Sequence, residues 1–261
     1  MPDWLIGLFA FALGASFGSF ANVCIYRLPR RLSLIVPRSH CPVCGETLGL
    51  VDLVPLLSYL WLGARCRFCK WVISPRYFLV EAACGTLFFL SYKSHGFTTT
   101  SAITALSCLS LLILGVVDGQ FHLVPTEPVW ALFGIGLLRR LLEANPAWGL
   151  VDGLLGTLIA GSVIYLVGVI GTKIFKKEAM GWGDVEISAA VAIQFGASKM
   201  LLAYFILSVF LGALVALPII IRLRSVRGTM PLGVALAGAS ILLLLYPEPV
   251  SQAVLRIYHL D

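Results

Sequence analysis

Two aspartates stand at the ends of apolar stretches. Asp118 follows the run "SAITALSCLSLLILGVV" and precedes "GQFHLVP", whereas Asp184 follows "MGWG" and begins another apolar run. Carboxylates at the edge of a membrane are energetically costly and favour a functional role. Two of them at one depth can hydrolyse a peptide bond, because one takes a proton from water while the other, protonated, polarises the scissile carbonyl. Close like charges cannot both stay ionised, so proximity itself creates the mixed protonation.

Each aspartate also has a purely structural interpretation. Asp184 could be the N-cap of a helix, since aspartate is favoured there. Asp118 could end a helix beside a turn, with His122 as its partner. In the catalytic interpretation, Asp118 lies at a helix C-terminus and Asp184 at an N-terminus, where the helix dipole favours negative charge. We therefore predict that Asp184 is the ionised base and Asp118 the protonated acid before water attacks.

Four cysteines form two pairs in the one sizeable polar segment. "CPVC" contains Cys41 and Cys44, "CRFC" contains Cys66 and Cys69, and 21 residues separate the pairs. Two such knuckles suit a tetrahedral zinc site, and four thiolates would complete the coordination shell of a structural ion. The neighbouring His40 is then a bystander. A reactive dithiol or unligated cysteines are the alternative.

The composition indicates a membrane protein. Of the 261 residues, 59% are hydrophobic and 12% are charged, about half the charged fraction of a soluble domain. A membrane-spanning helix needs about twenty apolar residues, so the chain is long enough for several. We predict an all-α polytopic membrane protein with about eight transmembrane helices. The predicted spans lie near 4–26, 78–92, 101–117, 128–142, 150–172, 185–197, 200–221 and 230–246.

The basic residues predict the orientation of these spans. With alternating spans, the loops 27–77, 173–184 and 222–229 share one side and contain most of the lysines and arginines. The positive-inside rule makes this side cytoplasmic and places both aspartates at the cytoplasmic face. The formal net charge of +6 then follows from topology and anionic lipid, without a nucleic-acid partner.

The order of segments suggests three parts. The run 4–26 has no basic residues before it, so it is a retained span and not a signal peptide. We predict a first transmembrane helix at 1–26, a small cytoplasmic zinc-binding module inserted after it at 27–77, and a transmembrane bundle at 78–261. A reducing compartment leaves the cysteines of this module free for metal.

Three other carboxylates have structural interpretations. Glu81 lies four residues into a predicted span, and we expect it to pair with an arginine such as Arg76. Glu143 and Asp152 flank a predicted loop near Pro146, and we expect them to be solvated.

Several motifs together resemble those of the bacterial type IV prepilin peptidases. "GSFANVCIYRLP" (18–29) is similar to the first-helix signature of that family, and "SHCPVC" with "ARCRFCKWVISPRYFLVE" to its cysteine module. Asp118 followed by "FHLVP" resembles the first catalytic aspartate, and "GWGD" (181–184) the GxGD motif that contains the second. "MPLGVALAG" (230–238) resembles a later loop-to-helix stretch. The resemblance covers nearly the whole chain.

The resemblance implies an inner-membrane enzyme with two activities. Members remove the short basic leader of prepilins or pseudopilins after a glycine, using two aspartates at the cytoplasmic face. They then methylate the new N-terminus with S-adenosylmethionine. The position of the methyl-donor site and the oligomeric state do not follow from the sequence.

Three departures from the family pattern bear on substrate preference and methylation. Thr126 follows Pro125 where the family usually has aspartate or asparagine, and Glu186 stands where lysine is common. "MPLGVALAG" also lacks a phenylalanine and a second proline. The alternatives are a GxGD protease without methyltransferase activity and an ion-coupled membrane transporter. A transporter would favour carboxylates near the middle of the bilayer, whereas these lie at the ends of spans.

Overall fold

The structure is a computed structural model that describes residues 2–176, 180–223 and 232–257. In these ranges it is helical, with only two isolated β-bridges. Two short 3₁₀ helices cover Leu28–Arg30 and Leu50–Leu53. The α-helices are α1 (Asp3–Arg27), α2 (Leu57–Trp61), α3 (Pro75–His95), α4 (Thr99–Phe121), α5 (Thr126–Leu141), α6 (Pro146–Phe175), α7 (Trp182–Phe195), α8 (Lys199–Leu223), α9 (Leu232–Leu245) and α10 (Pro247–Ile257).

Each of the eight predicted apolar runs coincides with a helix, but eight membrane spans are not confirmed. By length and hydropathy, four helices of the described chain could cross a bilayer: α1, α4, α6 and α8. The pair α9 and α10, bent by 119°, could add a fifth. Both α7 and α9 have 14 residues, or about 21 Å at 1.5 Å per residue, which is less than the ~30 Å of a hydrocarbon core.

The chain divides within α4 into two compact units, Met1–Leu109 and Ser110–Asp261. In the first unit, α1 packs along α3 at very short range. A Cβ atom added to Gly18 of α1 would lie 2.7 Å from the Cα atom of Glu81, so only glycine fits there. Small residues that let backbones approach are typical of helix pairs in membranes.

Buried polar side chains attach the cysteine-containing segment to α1 and α3. Arg27 donates hydrogen bonds to the carbonyl oxygens of Ser33 (2.7 Å) and Pro37 (2.6 Å). Glu81 accepts a hydrogen bond of 2.7 Å from the backbone N–H of Leu56. These contacts fix the segment near its start and at a point between the two cysteine pairs.

The structure gives Glu81 partners other than the predicted arginine. Its carboxylate is bound by the Leu56 N–H and by the hydroxyl of Ser19, whereas the guanidinium of Arg76 lies over the ring of Tyr77 at 5.0 Å. The buried carboxylate is therefore satisfied by hydrogen bonds, and among the described residues it has no ion-pair partner. Leu56 has φ 62° and ψ −51°, in a tight turn closed by the Leu57 N–H and the Pro55 carbonyl at 2.6 Å.

The second unit is built around α7. Nearly every residue of this helix from Ile187 to Phe195 is buried. Its neighbours in one apolar cluster come from α4, α5, α6, α8 and α9. A short helix that is apolar on all sides is stable only when enclosed in this way. The enclosure fixes the position of the N-terminus of α7, where Asp184 lies.

An ion-pair cluster binds the opposite end of α7. The buried Arg140 donates from Nε to the carbonyl oxygen of Ile193 at 2.7 Å, and its guanidinium pairs with Glu143 (2.9 Å) and Asp152 (3.4 Å). Asp152 also accepts from the N–H of Ala197 at 3.1 Å. We expected Glu143 and Asp152 to be solvated; their side chains are 39% and 28% exposed, but each is also ion-paired with Arg140.

Candidate functional site

Asp118 lies in the last turn of α4, as predicted, and its side chain is buried. It is 6% exposed, and its Oδ2 atom has no hydrogen-bond partner among the residues that the structure describes. The backbone N–H groups of Gly233 and Val234, in the first turn of α9, point towards the carboxylate. There is little free space at this contact, since a Cβ atom on Gly233 would lie 2.8 Å from Asp118 Oδ2.

Asp184 is the third residue of α7, so the alternative interpretation of Asp184 as the N-cap does not apply. Gly181 is the N-cap, and its backbone N–H donates to the carboxylate of Asp184. The side chain thus reaches back over the helix start, as the third residue of a capping box does. The same contact directs the carboxylate towards the end of the unit where α7 begins.

The residue before Asp184 must be a glycine, because there is no space for a side chain at position 183. A Cβ atom at this position would lie 2.4 Å from Cγ2 and 2.5 Å from Cβ of Val124. Val124 belongs to the short connection between α4 and α5, just after Asp118. The absence of a side chain at Gly183 therefore lets the start of α7 lie directly against the segment that follows Asp118.

These contacts bring the two aspartates into one compact unit. Both belong to Ser110–Asp261, and they are close enough for the charge of Asp118 to act on Asp184. Asp118 is buried and Asp184 is half-buried. Two carboxylates within electrostatic range of each other at the ends of helices are groups that acid–base hydrolysis could use.

The division of roles between the aspartates stays a prediction. We argued from the dipoles of the helices that contain them, but the N-terminus of α9 also faces Asp118. The dipole of α9 favours a negative charge on Asp118, in the opposite sense to the dipole of α4. Helix dipoles alone therefore do not decide which carboxylate carries the proton.

The sequence analysis missed the residues that hold the aspartates in place. Val124, Gly233 and Val234 carry no chemistry of their own, and they contribute only through backbone groups or shape. A signal for all three was present, because Val124 lies in "FHLVP" and Gly233 and Val234 lie in the "MPLGVALAG" stretch, whose first two residues lie outside the described ranges.

The four predicted cysteines come together in the first unit. The Sγ atoms of Cys41, Cys44, Cys66 and Cys69 all lie within 4.8 Å of one another, and those of Cys41 and Cys69 are 3.8 Å apart. Zinc at about 2.3 Å from four sulfurs in a tetrahedron separates the sulfurs by about 3.8 Å. The cluster is therefore compatible with a zinc ion.

The two cysteine knuckles have the same backbone design. In the first, the Gly45 N–H donates to Cys41 O at 2.9 Å, and in the second the Lys70 N–H donates to Cys66 O at 3.1 Å. Each is closed by one antiparallel bridge, and the backbone N–H of Cys44 lowers the pKa of the Cys41 thiol to about 7. A thiol that ionises readily suits a metal ligand. The ring of His40 contacts the carbonyl of Arg38 at 2.9 Å and does not belong to the sulfur cluster.

Comparison with known proteins gives two family matches that follow one another along the chain. Residues 12–95 match the bacterial peptidase A24 N-terminal domain, and residues 105–217 match the type IV leader peptidase family. The first match contains the cysteine cluster and the second contains both aspartates. No solved structure matches the chain.

Curated relatives agree with these matches. A prepilin leader peptidase/N-methyltransferase of Klebsiella pneumoniae is 36% identical over 74% of this chain and 86% of its own length. One of Bacillus subtilis is 30% identical over 92% of this chain and 94% of its own length. A third, of Myxococcus xanthus, is 35% identical over 82% of this chain, and the match spans 63% of its length. The chain belongs to the type IV leader peptidase family.

Proposed function

We propose that this protein is a membrane-embedded aspartic endopeptidase that removes the basic leader of type IV prepilins or pseudopilins. The proposal depends on one observation above all: Asp118 and Asp184, from separate helix ends, lie in one compact unit with interacting charges. The family membership and the names of the relatives support the substrate class.

The two carboxylates divide the chemistry between them. The ionised carboxylate takes a proton from water, and the hydroxide attacks the carbonyl carbon of the scissile peptide bond. The protonated carboxylate donates to the carbonyl oxygen and stabilises the tetrahedral intermediate. The intermediate collapses when the C–N bond breaks. The leaving amine takes the proton that the first carboxylate removed from water, and the hydroxyl group of the intermediate returns a proton to the second, so both carboxylates recover their starting states as the mature N-terminus is released.

The proposed location is the bacterial inner membrane, with the site at the cytoplasmic face. Eight spans with both termini outside would place the ends of α4 and the start of α7 on the side that has most of the basic loops. A basic leader followed by an apolar helix would present its cleavage site at this depth. The bilayer would then be thinner around the shorter helices.

The zinc-binding module and the second activity complete the proposal. Zinc held by Cys41, Cys44, Cys66 and Cys69 would stabilise the fold of residues 27–77 and leave no open coordination position for chemistry. Methylation of the new N-terminus would use S-adenosylmethionine, as the names of the relatives imply. Membrane lipid is the other proposed partner.

Mass spectrometry of a synthetic prepilin tests both activities. Purified protein in detergent is incubated with the prepilin, with and without S-adenosylmethionine. We expect loss of the leader after its glycine in both samples, and the gain of one methyl group only when the methyl donor is present. A prepilin with valine in place of that glycine is the matched control and should stay intact. Intact substrate in every sample would refute the proposed activity.

A further inference from the structure

Four hydroxyl groups lie near one another inside the second unit, within electrostatic range of Asp184. Tyr204 of α8 is fully buried, and its phenol oxygen is 3.0 Å from Ser188 Oγ of α7. Ser208 and Ser240 lie within interaction range of the same phenol, and Ser208 Oγ has no hydrogen-bond partner among the residues that the structure describes. All three serines are also buried. The cluster thus joins α7, α8 and α9 through polar groups in an otherwise apolar core.

One hydrogen bond of this cluster has a fixed direction. Ser240 donates its proton to the carbonyl oxygen of Leu236 at 2.7 Å, so towards Tyr204 it can only accept. Ser188 and the phenol of Tyr204 share a hydrogen bond in which either oxygen can donate. A buried network of this kind is fixed in geometry, because each lost partner leaves a polar group unsatisfied in a low-dielectric interior. Tyr204 is its central member.

The cluster links the two helices that hold the aspartates. Ser188 lies one helical turn beyond Asp184 on α7, and Ser240 lies about two turns beyond Val234 on α9. The N–H groups at the start of α9 face Asp118. A shift of α7 against α9 would therefore change the separation of the two carboxylates directly.

We propose that Tyr204 is a positioning residue whose hydroxyl sets the register of α7 against α9 and thereby the spacing of Asp118 and Asp184. The proposal rests on the proposed function, since it assigns Tyr204 to the reaction of those two aspartates. Tyr204 touches no reacting atom. Its effect reaches the substrate only through the geometry of the carboxylates.

The test is Tyr204→Phe, which removes one oxygen and keeps the ring packed against Phe195 and Phe205, at centroid distances of 5.6 and 5.4 Å. Cleavage of a synthetic prepilin is followed at several substrate concentrations. We expect kcat to fall about ten- to a hundredfold, the range for a catalytic group displaced by up to 1 Å. The KM should stay within about twofold, because the hydroxyl does not contact the substrate. Tyr246→Phe, the same change at the exposed end of α9, should match wild type.

Ser240→Ala provides a second variant that removes a different member of the network. It should lower kcat in the same direction while KM is retained. Wild-type kcat in both variants would overturn the proposal, and so would a loss of kcat that only follows a lower melting temperature. Asp184→Asn, measured alongside, distinguishes a failure of the proposed catalytic pair from a failure of the proposed role of Tyr204. If Asp184→Asn cleaves normally, the dyad itself fails; if it is inactive while Tyr204→Phe is normal, only the role of Tyr204 fails.

Discussion

Gly183→Ala is the perturbation that most sharply tests how the second aspartate is placed. The new Cβ atom would lie 2.4 Å from Val124 Cγ2, about 1 Å closer than the 3.4 Å at which ordinary contact begins. Val124 Cβ, at 2.5 Å, offers no flexible end that could rotate away. The start of α7 must therefore move, and overpacking of this kind costs about 1–3 kcal/mol of folding free energy.

The expected effect on catalysis is larger than the effect on stability. Asp184 is the next residue, so a displacement of about 1 Å moves its carboxylate and should lower kcat for prepilin cleavage about a hundredfold. Initial rates in detergent, with thermal unfolding of the same samples, provide the measurement. The matched control is Gly181→Ala. Its Cβ atom would meet nothing closer than Asp184 Oδ2 at 3.8 Å, and kcat should stay within about threefold of wild type.

A size swap completes this test. In the double variant Gly183→Ala with Val124→Gly, removal of the Val124 side chain makes space for the new methyl group. Most of the kcat lost in Gly183→Ala should therefore be restored. Residues in contact show such coupling, whereas independent sites give additive losses. Wild-type kcat for Gly183→Ala, or a double variant with the product of two separate losses, would refute the contact as the reason for this glycine.

Three further predictions concern the supports of the fold. Cys41→Ser should lower the amount of bound zinc, measured by elemental analysis, and the melting temperature. The control Cys84→Ser, in α3, should leave the zinc content unchanged. Equal zinc content in the two variants would contradict the proposed site. Glu81→Ala should expose the Leu56 amide to hydrogen exchange and cost about 1–3 kcal/mol of folding free energy, whereas Glu81→Gln retains an acceptor for that amide. Unchanged protection of the amide in the alanine variant would count against the contact. Arg140→Met removes the donor to the Ile193 carbonyl and should cost about 1–3 kcal/mol in thermal unfolding, because the two carboxylates stay partly solvated; an unaltered melting curve would show that the cluster contributes little.

The sequence predicted correctly those features that depend on short stretches of neighbouring residues. Each apolar run became a helix, because an apolar stretch of this length satisfies its own backbone only in that way in a membrane. The CxxC spacing predicted the cysteine cluster, because each knuckle is formed by a few neighbouring residues. Asp118 was expected at the end of a helix and lies in the last turn of α4.

Long-range packing accounts for what the sequence did not reveal. The partner of Glu81 is a backbone N–H at Leu56, which no side-chain pattern announces. Arg140 meets Asp152 only because α5 and α6 pack against the end of α7. Likewise, the N-terminus of α9 at Asp118 changes the electrostatic argument, although the two segments are far apart along the chain.

The number of spans illustrates a different limit. Hydropathy found the apolar runs, but a run of 14 residues can be a short span or a helix enclosed by others. Here α7 is buried on nearly all sides by five neighbouring helices. Its apolar character therefore reflects protein packing as much as any contact with lipid.

Prepilin cleavage by two asparagine variants tests the central claim most directly. Asp118→Asn and Asp184→Asn each keep the size of the side chain but remove its ability to exchange a proton. Asp152→Asn, in the same compact unit but in the Arg140 cluster, is the matched control. We predict that mass spectrometry will find the leader removed by wild type and Asp152→Asn, and retained with either of the other variants. Leader removal at the wild-type rate by Asp118→Asn or by Asp184→Asn would contradict a shared pair of catalytic carboxylates.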